Sequence, residues 1–482
     1  MRKKFASSLA ILLFANLLVK PFWIFGIDRQ VQNQTGPEVY GTYFAVFNYS
    51  FIFSILLDFG INNFNNRAVS RNPKRLGDYL LNLLLLKFVL GLLYFAVTFL
   101  SAMGAGFSET QLHMLLLLAV NQILLSAILY FRSNIAALQL FKTDSFISVL
   151  DRLLTILICL VLMYVPAFAG KFNIMWFIGA QTAALLITAL IAFAIVAGRT
   201  IVQLKIWHHR YSRMILLKSA PFALLALLMG IYYRIDAVML ERMLHDKGLE
   251  AGIYAASFRM LDALNQFGYL FATLLLPLFA HMIRQKHDVR ELVKFSSELM
   301  LAGSIAAALV CYFYSNQIMQ LLYHRNDAYW ATIFGWLMLN FIPMSSVYVF
   351  GTLLTANGNL KVLNIIAVGG VILNVGLNLY LIPHHGALGA TIATLITQAI
   401  AAAAHIAAAQ QQFKLKYQFN DVLKISGFVL VSLACLFALQ HSPLNWVYNI
   451  SIALAVNGLA AIALKLVPMH QVLQLLRSKV NT

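Results

Sequence analysis

The chain has 482 residues, 61% of them apolar and only 11% charged, yet it carries a formal net charge of +18. A soluble domain carries roughly 25% charged and 45–50% apolar residues, so this chain has too little charge to coat a water-facing surface. At roughly 20 apolar residues per membrane-crossing helix there is material for about fourteen spans, leaving about 13 residues for each tail or connection and no room for a sizeable extramembrane domain.

Arg2-Lys3-Lys4 opens the chain like a signal peptide, but the apolar stretch from Ala6 reaches about Ile27 without a small-residue cleavage site, so it reads as an uncleaved first span. Apolar runs of spanning length follow at 40–62, 79–103, 111–131, 146–169, 174–198, 219–241, 253–281, 296–315, 330–356, 362–383, 386–410, 422–440 and 444–467. With the N-terminus inside, the inner tails and loops hold 25 of the 35 basic residues and the outer loops hold 5, namely Arg29, Lys171, Arg242, Lys247 and Arg325. Miscounting one span would invert every later loop, so this asymmetry supports fourteen spans with both termini cytoplasmic. Cys159, Cys311 and Cys435 each lie inside an apolar run, which suggests neither a disulfide framework nor a zinc site.

The longest inner connection, 199–218, mixes Ile201, Val202, Leu204, Ile206 and Trp207 with basic residues, as an amphipathic linker lying on an anionic inner surface would. It separates two sets of six spans, and a short repeat supports that division. Gly36-Pro37-Glu38 before Gly41-Thr42-Tyr43 matches Gly248-Leu249-Glu250 before Gly252-Ile253-Tyr254, each copy opening the second span of its half. The expected fold is an all-α polytopic membrane protein of about 14 transmembrane helices. Two six-helix lobes, 1–198 and 219–410, flank the linker 199–218 and are related by a pseudo-twofold axis along the membrane normal; two extra helices and a cytoplasmic tail occupy 411–482. Such halves are characteristic of alternating-access transporters.

Nucleotide-hydrolysing apparatus is missing: no Gly-x4-Gly-Lys-[Ser/Thr] loop occurs, and Gly170-Lys171 is the only Gly-Lys pair. The short outer loops hold no Asp-x-Asp, and His208-His209 and His384-His385 lack a metal-ligand partner at helical spacing. No catalytic residue, no metal site, no cofactor and no nucleic-acid partner is therefore expected, and the chain does not read as an enzyme.

Ionisable residues inside spans carry the remaining information, because each costs about 2.5–3.5 kcal/mol at the bilayer centre and has to face a cavity or a partner. At 1.5 Å per residue, Lys20, Arg234 and Arg259 all lie roughly 20–22 Å from the inner face, on spans one, seven and eight. Asp236 lies near that level, and Asp262 falls one turn from Arg259 on the same helix face. One reading is mutual neutralisation. Arg234 and Asp236, however, are two residues apart and point to different faces, so a basic cluster open to an anion is the alternative. Tyr232 and Tyr233 could stack on sugar rings. Asp58, before Asn62, Asn63, Asn65, Asn66 and Arg67, suggests an inner vestibule or gate, or simply a helix end reaching water. Lys87, Asp151 and Arg152 are explained by snorkelling.

Three stretches resemble a known family: Gly41-Thr42-Tyr43 through Asp58-Phe59-Gly60 to Arg67 and Arg71; Tyr233-Arg234-Ile235-Asp236-Ala237-Val238-Met239-Leu240 followed by Gly252-Ile253-Tyr254-Ala255-Ala256; and Pro383-His384-His385-Gly386-Ala387-Leu388-Gly389-Ala390-Thr391. In order and position they are similar to O-antigen-translocase-like polysaccharide exporters of the multidrug/oligosaccharidyl-lipid/polysaccharide exporter superfamily. The resemblance implies a flippase moving a polyprenyl-pyrophosphate-linked oligosaccharide from the inner to the outer leaflet of a bacterial inner membrane. It implies Lys20 and Arg259 as cavity-lining basic residues, and a monomer working beside membrane lipids, a polysaccharide polymerase and a ligase. The peptidoglycan-precursor flippases are a sister family, but their arginine-rich start of span one is absent here. The drug-extruding antiporters usually have twelve spans and a carboxylate-dominated cavity. A pyrophosphate's roughly two charges would favour outward transfer by about 4–5 kcal/mol at 100 mV, negative inside, which accords with the missing phosphate loop. On this expectation Lys20, Arg234 and Arg259 bind the pyrophosphate, with Tyr232 and Tyr233 beside it, while Asp58, Asp236, Asp262 and Arg67 pair charges or gate.

Overall fold

The computed structural model describes residues 19, 21–72, 76–199, 209–244, 246–415 and 419–467. Among these, every regular element is a helix, and twelve helices are long and apolar enough to cross a membrane. In lipid this is forced: backbone N–H and C=O groups have no water to bond, so each crossing segment satisfies its own. The protein is an all-α polytopic membrane protein. Of the first expected span, 7–27, only residues 19 and 21–27 are described. Of the expected linker, residues 200–208 lie outside the described residues.

A π-helical segment, Trp23–Asp28, leads into α1 (Arg29–Thr35). α2 (Pro37–Ile52) continues through a 3-10 segment, Phe53–Leu57, to a sharp break at Asp58-Phe59-Gly60 before α3 (Ile61–Arg71). Phe59 and Gly60 both have positive φ there, 41° and 78°. α4 (Leu76–Gly104), α5 (Glu109–Ala137), α6 (Phe141–Tyr164) and α7 (Ile174–Ala197) follow, then α8 (His209–Met243) and α9 (Leu249–Arg284). α8 begins ten residues before the expected span, whose apolar portion is Phe222–Met243. The chain then forms α10 (Arg290–Phe313), α11 (Ala328–Leu339), α12 (Phe341–Ala356), α13 (Leu360–Phe413), α14 (Phe419–Gln440) and α15 (Trp446–Ala463). α11 and α12 together make the single span Ala328–Ala356.

α13 accounts for two expected spans. A straight helix of its 54 residues would run about 81 Å, against a hydrocarbon core of about 30 Å. It is broken at Gly386 (φ 55°, ψ −134°), just after Pro383. A Cβ on Gly389 would overlap the carbonyl of Leu381, eight residues earlier, although an unbroken helix would hold such residues about 12 Å apart. The chain therefore folds back here with almost no loop.

The chain divides into two compact units, Met1–Ala255 and Ala256–Thr482. In the first, α5 packs on α7, α6 on α7, and α2 between α8 and α5. Apolar surface gives no drive to associate within lipid, so close backbone approach and polar contacts hold such helices together. Asn65 on α3 donates to Ser133 Oγ (2.9 Å) and Asn134 Oδ1 (2.8 Å) on α5, all three buried. The start of α2 meets the start of α9 through glycines: a Cβ on Gly41 would overlap the Gly248 carbonyl and the Gly252 nitrogen, and one on Gly252 would overlap the Pro37 carbonyl. Gln32 Nε2 donates to the Gly252 carbonyl at 2.9 Å. Gly36 and Gly248, the leading glycines of the two repeat copies, share a left-handed backbone, φ 86° and 89°.

In the second unit α12 packs on α13, and α10 on α11 and α12. α14 and α15 pack on each other and against α10 over Ala302, Leu309, Phe428, Leu436, Ala453 and Ala461. Lys294 Nζ on α10 bonds Asp421 Oδ1 on α14 at 2.6 Å, and Ser432 bonds Asn457 between α14 and α15.

Candidate functional site

α2 presents Phe44, Phe47, Asn48 and Phe51 at helical spacing, and α8 packs along it. Arg234 of α8, half-buried, reaches this face. Its Nη1 donates to Asn48 Oδ1 at 2.9 Å. The guanidinium carbon stands 4.4 Å from the centre of the Phe51 ring, 6.0 Å from that of Phe47 and 5.6 Å from that of Tyr233. Asn48, 1% exposed, is itself anchored, its Nδ2 donating to the Phe44 carbonyl at 2.8 Å. Among the described residues Arg234 makes no ion pair. A guanidinium carries five N–H donors, and one is used here by a neutral amide. The arrangement is a positive charge held by rings and one hydrogen bond, with donors left to receive an anion.

Asp236, two residues along α8, is 1% exposed and accepts from the Tyr254 hydroxyl at 2.9 Å. The helix geometry separates it from Arg234, as the two-residue spacing requires. Tyr232 is buried at 8% exposure, whereas Tyr233 is half-buried beside the guanidinium. Lys20 lies outside the described residues. Arg259 and Asp262 lie a turn apart on α9 in the second unit, both half-buried. Arg67 lies on α3, with its side chain outside the description.

Asp58 ends the 3-10 segment, its Oδ1 accepting from the Asn62 amide (3.2 Å) and from Lys87 Nζ (3.2 Å). Lys87 does not snorkel. It is 8% exposed and spends its donors on the Leu57 carbonyl (3.0 Å), Asp58 and Ser126 Oγ (2.8 Å), and it lies 5.9 Å from the Tyr130 ring centre. The reason is the break in α2: the carbonyl of Leu57 loses its helical partner there, and Lys87 and Ser126 both donate to it. Arg152, its side chain 38% exposed, pairs with Asp151 at 3.7 Å and stands 5.2 Å from the ring centre of Trp23, which stacks on Phe177.

Sequence reasoning passed over Asn48, Phe47 and Phe51, the residues that hold Arg234. Their aromatic spacing on α2 was visible; their partner on α8, 186 residues from Asn48, was not. It also passed over Asp28, 1% exposed, which accepts from the Tyr40 hydroxyl at 2.6 Å.

Fold and site together describe a polytopic all-α membrane protein with a half-buried arginine held among aromatic rings. The sequence pattern of the family described as "Polysaccharide biosynthesis protein" matches residues 31–283, more than half of the chain, and the protein belongs to that family. It is 27% identical over 181 residues to the Lipid III flippase of Escherichia coli (strain K12), a match covering 37% of this chain and 43% of that relative's length. Its fold resembles a structure of the Lipid II flippase MurJ in an inward closed conformation, with a TM-score of 0.69 and 15% identity over 96% of this chain and 100% of the other. It also resembles an inward-facing multidrug resistance MATE family transporter of the MOP superfamily, with a TM-score of 0.62 and 14% identity over 84% and 97% of the two chains.

Proposed function

We propose that the protein is a flippase that carries a polyprenyl-pyrophosphate-linked oligosaccharide, a polysaccharide repeat unit, from the inner to the outer leaflet of a bacterial inner membrane by alternating access. The observation that carries this reading is Arg234, a half-buried guanidinium with no ion pair among the described residues and with donors to spare. A diphosphate supplies the acceptors, and a guanidinium fork binds phosphate oxygens in pairs. Lys20 and Arg259 join Arg234 at the diphosphate, Tyr233 and Tyr232 lie beside the sugars, and Asp58, Asp236, Asp262 and Arg67 pair charges during the transition. The family membership and the Lipid III flippase relative support a lipid-linked substrate.

Both termini are cytoplasmic in this reading. The lobes 1–198 and 219–410 rock about the linker 199–218, with 411–482 appended. The protein acts as a monomer that hands its substrate to a polymerase and a ligase, and it performs no covalent chemistry.

The test is deletion and complementation in the host. Loss of the protein abolishes the surface glycan and accumulates inner-leaflet lipid-linked oligosaccharide; full-length chain restores both, and Arg234→Ala, Lys20→Ala and Arg259→Ala at equal expression do not. Unchanged surface glycan in all three variants would refute the assignment. A peptidoglycan-precursor substrate shares the diphosphate, and the MurJ-like fold keeps it as the second reading. It predicts arrested cell-wall synthesis with surface glycan intact.

A further inference from the structure

Arg234 is gripped in two ways that differ in what they fix. The rings of Phe51 and Phe47 set the distance of the guanidinium from α2, at 4.4 and 6.0 Å, and Tyr233 of α8 flanks it at 5.6 Å. A ring face tolerates rotation of a cation above it, because the attraction is to a diffuse quadrupole. Asn48 supplies the directional contact. Its amide cannot turn over: Nδ2 is committed to the Phe44 carbonyl at 2.8 Å, so Oδ1 is presented to Arg234 Nη1 at 2.9 Å. Asn48 is 1% exposed and is thereby closed off as a direct ligand for a bulky substrate. It is neutral, so it orients the guanidinium without quenching its charge. A carboxylate in its place would supply an internal counter-ion.

We infer that Asn48 is a positioning residue for anion binding, which fixes the orientation of the Arg234 guanidinium so that its remaining N–H donors converge on a diphosphate. This rests on the reading of Arg234 as the diphosphate ligand. The site selects for a diphosphate headgroup over an uncharged prenol, and the selectivity passes through Asn48, whose side-chain hydrogen bonds among the described residues go to Arg234 and to its own helix.

The experiment measures binding of geranylgeranyl diphosphate, with geranylgeraniol as the uncharged control, to the full-length protein in neutral-lipid nanodiscs. The proteins compared are wild type, Asn48→Ala, Asn48→Asp, Arg234→Ala and the double variant Asn48→Ala/Arg234→Ala. Losing the orienting bond is expected to weaken diphosphate binding about 3- to 10-fold in Asn48→Ala. Asn48→Asp keeps the side-chain volume but sets a carboxylate against Arg234, so binding falls by more than about tenfold. The double variant binds no more weakly than Arg234→Ala, and geranylgeraniol binding is the same throughout. Wild-type affinity in Asn48→Asp, or an equal further loss when Asn48→Ala is added to Arg234→Ala, would overturn the inference while leaving Arg234 as a ligand. Weakened geranylgeraniol binding in the Asn48 variants would overturn it too, by revealing a general loosening of α2. Wild-type diphosphate binding in Arg234→Ala removes the reading of Arg234 itself, and the inference with it.

Discussion

Gly41 and Gly252, on α2 and α9, stand backbone against backbone: a Cβ on Gly41 would overlap the Gly252 nitrogen, and a Cβ on Gly252 would overlap the Pro37 carbonyl. They occupy matching places in the two copies of the short sequence repeat, so the repeat meets itself in the fold.

Adding a methyl at either glycine forces the two helix starts apart and strains the Gln32 to Gly252 bond. Gly41→Ala and Gly252→Ala are each expected to destabilise the purified protein by about 1–3 kcal/mol, the range of overpacked interiors. Gly427→Ala inside α14, where a Cβ meets nothing within 4 Å, serves as the control, expected to lose no stability in the same thermal denaturation.

Lys87 makes three hydrogen bonds, two to the broken end of the Phe53–Leu57 segment at Leu57 and Asp58 and one to Ser126 on α5. Lys87→Met removes them and leaves Asp58 without its cation, at an expected loss of about 1–3 kcal/mol. Asp58 retains 31% exposure, so water screens part of that cost. Lys87→Met/Asp58→Asn is expected to recover part of the loss. A double variant additive in the two single effects would show that the pair is not coupled.

At Arg234 the shape of the cation matters as well as its charge. Arg234→Lys keeps the charge but gives up the planar fork and stacking on Phe51. Surface-glycan output is expected to fall in the order wild type, Arg234→Lys, Arg234→Ala. Phe51→Leu, which removes a cation–π contact of about 0.5–2 kcal/mol, is expected to lower output while expression is maintained. Equal output from Lys and Ala variants would mean that charge at this position is immaterial.

The terminal helix pair is tied to α10 by Lys294 and Asp421, the latter 3% exposed. Lys294→Met, which leaves the buried Asp421 carboxylate without this cation, is expected to lower the melting temperature, and Lys294→Met/Asp421→Asn to restore part of it. A double variant less stable than Lys294→Met would count against the pairing.

The spans were legible because a helix that crosses lipid writes a long apolar run that nothing else in this chain imitates. Their boundaries at the turn after Pro383 were legible only in part. The sequence separates 362–383 from 386–410, but not how little chain lies between them. The opposed faces of Arg234 and Asp236 followed from a two-residue spacing. What held Arg234 did not, because Asn48 and Phe51 are brought to it by the packing of α2 on α8, and no local pattern encodes that register. Lys87 shows the same limit from the other side. Its depth in an apolar run suggested snorkelling, and the deciding fact was a break in a different helix, whose unpartnered Leu57 carbonyl required a donor.

The fold-back at Gly386 bears on how the protein is made. With Gly389 pressed against Leu381, the two halves of α13 share a turn too tight to be drawn out separately into water. They are therefore expected to enter the bilayer from the insertion machinery as one hairpin. A charged residue that halts either half is then expected to strand both, which glycosylation-site mapping of nascent chains would register as the simultaneous loss of two crossings.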